Sequence, residues 1–334
     1  MLIICIVNFL NYFIFYILYF IFYILYYMIV YFILICFLLL ICFIYYNFLC
    51  VSPKIDTYEN INNYNYNYNN NYILPQKIYS YWDDLENNTI IQSHFNSWRR
   101  NIKNWEINII NKNNLKDYVS DDFINKYIEL DSTRFSDFLR LELLKTNGGV
   151  WLDAGIFVTK NSLFLDKFRN EMINNNYDAT LYELQDATID KDMPYLENWF
   201  IMAPKNSKLI TDIYYEFNRA FEMGFFKYKK DILIPSKINL TNTLGYEKKT
   251  YLMQHAIINY LFKNNKYNIN IKNSYDSMFR IHIDHKWDNE LIIDNIINKN
   301  NNWKDIYAVK LTKGQRFCIY PDIINKYIQQ IDLL

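Results

Sequence analysis

The first fifty residues have no polar rhythm. They contain no Lys, Arg, Asp or Glu, and the run from 12 to 46 is almost wholly Ile, Leu, Phe, Tyr, Val, Met and Cys. A helix crossing a bilayer needs about 20 apolar residues, so this run is too long for one upright span and marginal for two. It lacks the basic flank and small-residue cleavage site of a removable leader, and reads as a retained transmembrane anchor. Residues 51–72 follow as an Asn/Tyr-rich linker with no helical or strand period. From residue 73 the pattern changes. Short apolar runs predict strands at Lys77–Tyr81, 105–110, 150–152, 156–159, Ala179–Glu183 and 199–202. Apolar residues returning every three or four positions predict helices over Thr89–Asn101, 136–147, 207–223 and 250–262. Residues 113–118 and 121–128 read as short helices, and a helix or loop runs up to 174. Strands alternating with helices predict an α/β domain over 73–334. About 260 residues are enough for one sizeable core.

The stretch from Ser136 to Asp153 carries the chemistry. As a helix, it sets Asp137, Arg140, Leu141 and Leu144 on one face, with Glu142 and Lys145 on another. Aiming an acid and a base into an apolar surface is costly unless they are paired or put to use. Gly148 and Gly149 then permit a sharp reversal with positive φ. Val150, Trp151 and Leu152 form a continuous apolar run, the pattern of a strand covered on both faces. Asp153 stands where that strand ends. Ligands of open α/β sheets bind at the carboxyl ends of strands, so Asp137, Arg140 and Asp153 are expected in one pocket. Blander readings stand beside this one. Asp137 and Arg140 could be a surface ion pair at i, i+3, and Asp153 a turn cap. Tyr81 and Trp82, ending the first strand, suit either core packing or stacking on a nucleotide base. Trp98 reads as core.

These residues resemble the capsular polysaccharide synthesis proteins and the related glycosyltransferase family 32, the DXD-sugar-binding transferases. The matching positions are Ser136, Asp137, Arg140, Leu143, Leu144, Gly148, Gly149, Val150, Trp151, Leu152 and Asp153. Upstream, Pro75, Ile78 and Trp82 resemble the family's first strand, and Ser97 and Trp98 its next helix. Downstream, 198–204 resembles a further core strand. The likeness spans roughly 73 to 265. It implies a GT-A-like nucleotide-diphospho-sugar transferase domain, with a mixed, mostly parallel sheet flanked by helices. It implies a nucleotide-sugar donor bound by Tyr81, Trp82, Asp137, Arg140, Gly148, Gly149 and Lys310. Asp137, Arg140 and Asp153 are then catalytic, and Asp153 holds a divalent cation, Mn²⁺ or Mg²⁺. Lys310 enters because Lys310, Leu311 and Thr312 resemble an element closing over the donor phosphates in the capsular branch. One departure bears on the metal. Most family 32 members carry Asp-x-Asp, whereas this chain reads Asp153, Ala154, Gly155. Gly155→Asp would restore the second carboxylate unless Gly155 needs positive φ.

Charge narrows the partners. Lys+Arg and Asp+Glu are both 35, which argues against the basic footprint of a nucleic-acid binder. Four of the five cysteines lie in or beside the apolar segment and only Cys318 in the domain, so the domain has no internal disulfide. His282 and His285 flank Asp284, but a metal pair needs a third ligand, and ordinary surface or supporting roles are expected. His255 falls on a helix and His94 near the first. Asn87 and Asn239 head glycosylation-like triplets that an Asn-rich chain produces by chance. The reading is a membrane-anchored glycosyltransferase with a glycan, glycolipid or protein acceptor, retaining the anomeric configuration. In a eukaryote it would sit in Golgi or secretory-pathway membranes. The rival is a non-catalytic, membrane-tethered sugar-nucleotide or glycan-binding module with a degenerate metal motif.

Overall fold

The computed structural model describes residues 72–160, 163–244, 250–298 and 303–334, together with positions 23, 31, 35, 36 and 38. The chain divides into two compact units, Met1–Asn65 and Tyr66–Leu334. In the first unit, the five described positions are helical and exposed. The rest of the expected anchor, and the linker up to residue 71, lie outside the described residues. Among the described residues no helix is long and apolar enough to cross a membrane.

The second unit is α/β. Its strands are β1 (Lys77–Tyr81), β2 (Glu106–Ile110), β3 (Gly149–Leu152), β4 (Ile156–Val158), β5 (Ala179–Glu183), β6 (Leu196–Ala203), β7 (Ile269–Asn273) and β8 (Ala308–Lys310). The larger helices are α1 (Thr89–Asn101), α2 (Asp121–Tyr127), α3 (Ser132–Asn147), α4 (Phe164–Asn175), α5 (Lys208–Met223), α6 (Met253–Asn264), α7 (Asn289–Ile297) and α8 (Ile324–Leu333). Six strands form one mixed sheet in the order β2-β1-β3-β6-β5-β7. The β1–β2, β1–β3 and β5–β7 ladders are parallel, and β6 runs antiparallel to both β3 and β5. β4 and β8 make a separate antiparallel pair.

The sheet is covered on both faces, as the unbroken apolar runs require. Side chains alternate across it. Tyr79, Trp151 and Ile201 join one core with Phe138, Leu141, Phe217 and Ile257 from α3, α5 and α6. Ile78, Val150, Leu152 and Met202 join the other with Phe95, Trp98 and Phe168 from α1 and α4. Trp98 is fully buried and its indole N–H donates to the Ile156 carbonyl at 2.8 Å. The C-terminal residues, which the hydrophobic pattern leaves unread, pack α7 and α8 against β4 and β8 around Phe157, Val309 and Tyr327.

This topology sets up one sheet edge. β1 and β3 run parallel with Tyr79 opposite Trp151, so Tyr81 and Asp153 emerge at the same end. β6 is antiparallel with Phe200 opposite Leu152, so its N-terminal Glu197 and Asn198 arrive there too. The Asp153 amide donates to the Trp199 carbonyl at 2.9 Å, which fixes the strand end.

Candidate active site

Helix α3 begins one turn earlier than its hydrophobic period indicates. Asp131 is the reason. Its carboxylate accepts from the amides of Thr133 and Arg134 at 3.1 and 3.0 Å, an N-cap that satisfies otherwise orphaned donors. The added turn brings Arg134 onto the face that carries Asp137 and Arg140. Arg134 Nη1 contacts Asp137 Oδ2 at 3.1 Å, and Arg140 Nη1 contacts Asp137 Oδ1 at 2.9 Å. Arg134 Nη2 also donates to the Thr250 carbonyl at 2.8 Å.

Arg140 is the hub. Its other terminal nitrogen, Nη2, reaches Asp153 Oδ1 at 3.2 Å, so one guanidinium joins both carboxylates. Nη1 also donates to Gln254 Oε1 on α6 at 2.9 Å. The guanidinium lies 5.0 Å from the Trp151 ring, a cation–π contact. Asn198 donates to both Asp137 and Gln254. The bland reading of Asp137 and Arg140 as an exposed pair is excluded, since their side chains are 8% and 4% accessible.

Asp153 is more open, with 27% of its side chain accessible. Oδ1 also accepts from Trp151 Nε1 at 2.8 Å, and Oδ2 accepts from Lys310 Nζ at 2.7 Å. Lys310 comes from β8, 157 residues away, and its side chain is 12% accessible. Burial pushes Asp153 up, but Lys310 and Arg140 outweigh it and hold the carboxyl below its ordinary value. For Asp137 burial prevails over Arg140 and Arg134, and the carboxyl is raised. Burial lowers Lys310 against the pull of Asp153.

Other expected residues divide. Trp82 ends at the same edge, its ring 5.5 Å from the Arg316 guanidinium. Tyr81 turns inward: it is 6% exposed, packs on Phe135 at 5.1 Å and donates to Asp83. Gly148 and Gly149 do not come to the site. They open β3 at its far end, about 13 Å of strand from Asp153 at ~3.3 Å per residue. Their φ values are 70° and 111°, and a Cβ on Gly149 would sit 2.6 Å from the Lys77 carbonyl oxygen. They shape the turn and the close β1–β3 approach. His94 is buried under the strand end, bonding the Ala154 carbonyl at 2.9 Å and the Tyr327 hydroxyl at 2.7 Å. Burial drops its pKa to about 3. His282, for which a surface or a supporting role is expected, is fully buried, because its short helix packs inward beside Phe279 and Trp287.

The sequence pattern missed Arg134, Asn198, Glu197, Gln254 and Arg316. Asp131 followed by Ser132 and Thr133 was a readable cap. The other four come from three further segments, β6, α6 and the short helix Lys313–Phe317, and as site residues had no local signal.

The divalent cation that the family resemblance implies does not fit this donor set. Mg²⁺ and Mn²⁺ take oxygen ligands, yet both Asp153 oxygens face N–H donors, two of them cationic. At Gly155, where Asp-x-Asp proteins place the second carboxylate, a Cβ would meet Arg316 Nη1 and the Leu311 oxygen at 2.7 Å, and Lys310 Nζ at 3.4 Å. Gly155 is not in the left-handed region, so crowding, and not φ, requires the glycine. Among the described residues no group of three His, Cys, Asp or Glu side chains could hold a metal.

Residues 46–232 match the model of one family, the capsular polysaccharide synthesis proteins. Among solved structures, the chain is similar to a glycosyltransferase involved in the glycosylation of the major capsid of PBCV-1. That match has 11% identity and a TM-score of 0.41, and covers 77% of this chain and 98% of that one. It is also similar to the PaToxG glycosyltransferase, at 12% identity and a TM-score of 0.32, covering 77% and 86%. No curated protein matches the chain significantly.

Proposed function

The chain belongs to the capsular polysaccharide synthesis protein family, and on that premise we propose that it is a glycosyltransferase, moving a sugar from a nucleotide-sugar donor to a glycan, glycolipid or protein acceptor. The carrying observation is the meeting of Asp137, Arg140, Asp153 and Lys310 at the carboxyl ends of β1 and β3, the edge where α/β sheets bind ligands.

The leaving group of such a reaction is a nucleoside diphosphate, and charge develops on its phosphate as the glycosidic bond breaks. Lys310 and Arg316, with Arg140 behind them, supply fixed positive charge at that point. Asp153 holds Lys310 in register through the 2.7 Å ion pair. Trp82, beside Arg316, offers an aromatic face to the base. Asp137 orients Arg140. Both motif carboxylates are held by cations, so neither is released to attack the anomeric carbon. Front-face attack, with the leaving phosphate taking the acceptor proton, gives retention. Residues 1–50 act as the membrane anchor, a role checked by resistance of the chain to alkaline carbonate extraction.

The deciding experiment presents the full chain, in detergent, with a panel of nucleotide sugars and measures release of nucleoside diphosphate. Turnover of a donor that Lys310→Met abolishes supports the transferase. Binding of a donor without turnover would make the domain a binding module.

A further inference from the structure

We propose that Glu197, backed by His255, accepts hydrogen bonds from hydroxyls of the transferred sugar and selects a neutral sugar over an acidic one. The inference rests on the transferase reading above and names the class of donor.

The first observation is how the two residues are placed. Asn198 and Glu197 lie near the start of β6, and Gln254 and His255 near the start of α6. They meet in two steps. Asn198 donates to Gln254, and His255 Nε2 stands 3.5 Å from Glu197 Oε2. The first step is tied to Arg140 through Gln254 at 2.9 Å. Among the described residues, the second makes no hydrogen bond to the charged cluster. His255 Nδ1 is buried without a partner. A carboxylate only accepts, so Nε2 carries the hydrogen and the imidazole commits its donor to Glu197.

The second is an open carboxylate oxygen. Glu197 is 9% exposed, and among the described residues His255 is its one hydrogen-bond partner. Oε1 has no partner, yet it is not one of the sealed polar atoms, so it reaches solvent. In Asp137 and Asp153, by contrast, every carboxylate oxygen already faces an N–H donor. Lys310 and Arg316 offer only donors. A sugar hydroxyl both donates and accepts, and Glu197 supplies the acceptor that these cations lack.

The third is reach. The Trp199 carbonyl takes the Asp153 amide. Glu197 precedes Trp199 by two positions on β6, which carries it about 7 Å beyond that bond at the ordinary strand rise. That is about the width of one sugar ring. Lys310, which holds Asp153, also feels the charge of Glu197. A sugar joined to a diphosphate at Lys310 is therefore within reach of Glu197. An acidic sugar would bring a second carboxylate against the first, and like charges repel strongly in a partly buried site.

The test measures release of nucleoside diphosphate by the full chain in detergent from matched donors. The pairs are UDP-glucose with UDP-glucuronate, UDP-galactose with UDP-galacturonate, and GDP-mannose with GDP-mannuronate. In a pair that is turned over, the neutral donor should lead in kcat/KM by about tenfold or more. Glu197→Gln keeps the shape and removes the charge. It should narrow that lead about fivefold and raise KM for the neutral donor about threefold. Affinity for UDP or GDP alone, which carry no sugar, should move less than about twofold, whereas a merely structural role would weaken it as well. Glu197→Asp keeps the charge but withdraws it by one methylene. It should preserve the lead while lowering kcat/KM for the neutral donor about tenfold, and it reports where the amide variant does not fold. His255→Gln should raise KM for the neutral donor with kcat kept, as loss of a positioning group does. An acidic donor turned over as well as its neutral partner overturns the assignment. So does a lead unchanged in Glu197→Gln, or one lost in Glu197→Asp. Turnover of no donor by the unaltered protein instead overturns the transferase reading, a failure seen before any variant is compared.

Discussion

Arg140 holds one carboxylate on each side, and the two live differently. Asp137 comes from the middle of a helix, is 6% exposed overall, and is enclosed by Arg134, Arg140 and Asn198. Asp153 comes from a strand end, keeps 27% of its side chain accessible, and faces Lys310 across a 2.7 Å ion pair. The same arginine therefore serves as a buried structural partner toward the helix and as part of an open charged edge toward the sheet. Of the three residues expected to be catalytic, Asp137 is the enclosed anchor and Asp153 the open, working end.

The largest effect should come from breaking the anchor. Asp137→Ala leaves Arg134 and Arg140 buried with one acid removed, and uncompensated buried charge costs about 3–5 kcal/mol. Asp153→Ala should cost about 1–2 kcal/mol, because Arg140 keeps Asp137 and the freed Lys310, whose pKa burial already lowers, can give up its proton. Equilibrium denaturant unfolding measures both. Equal losses in the two variants would erase the distinction.

The working end is next. Lys310→Met removes a cation fixed where the leaving phosphate develops charge, and about 10²–10³-fold of turnover should go with it, the loss typical of one preorganised electrostatic group. Unfolding stability should change far less than in Asp137→Ala. Arg316→Met should act in the same direction. Turnover by the unaltered enzyme should persist in EDTA, because these cations occupy the place of a metal. A collapse of activity on chelation, restored by Mn²⁺, would show that Asp153 exchanges Lys310 for a metal when donor arrives.

A smaller effect sharpens the point at Gly155. An aspartate there would place its Cβ 2.7 Å from Arg316 Nη1 and the Leu311 oxygen. Arg316 is the flexible end of a side chain and can shift; the Leu311 carbonyl is backbone. Overpacking of this kind costs about 1–3 kcal/mol. Gly155→Asp should lower stability by that amount and gain no metal dependence, as followed by thermal unfolding with and without Mn²⁺.

Much of this arrangement was legible in sequence, for physical reasons. β1, α1 and β5 fall where periodicity sets them, at Lys77–Tyr81, Thr89–Asn101 and Ala179–Glu183, because each buries a clean apolar pattern. Asp137, Arg140 and Asp153 were readable together because a helix, a glycine turn and a four-residue strand fix their spacing locally. Arg316, Gln254 and Glu197 were not readable. They reach the site through the short helix Lys313–Phe317 after β8, through α6 and through the antiparallel course of β6, and none of these side chains carries a local signal of its own. The two glycines, expected at the donor, lie away from the cluster for the opposite reason. They adjoin the motif in sequence, but the strand between carries them to the other end of the sheet.

The finest separation of the two carboxylates is in the sign of their pH dependence. Both start from an ordinary value of 3.8. The folded-state value of Asp153 is depressed, so its ionised form favours folding. That contribution is present above pH 3.8 and lost as the pH falls through the folded value. The folded-state value of Asp137 is raised by burial, so the folded state binds the proton more readily than the unfolded chain. Its contribution runs the other way, with stability recovered as the pH falls through the window just above 3.8. Two buried histidines supply a background. His94 and His282 drop from 6.5 to about 3, so the unfolded chain takes up protons first and stability declines from pH 6.5 toward 3 in every variant. Against that shared slope, Asp153→Asn should make the acid limb shallower and Asp137→Asn should make it steeper. Urea unfolding from pH 3 to 7 on the two variants and the unaltered chain gives the three curves. If both substitutions bend the curve in the same direction, Asp137 is an ionised partner of Arg140 on the same footing as Asp153, and the division into anchor and working end fails.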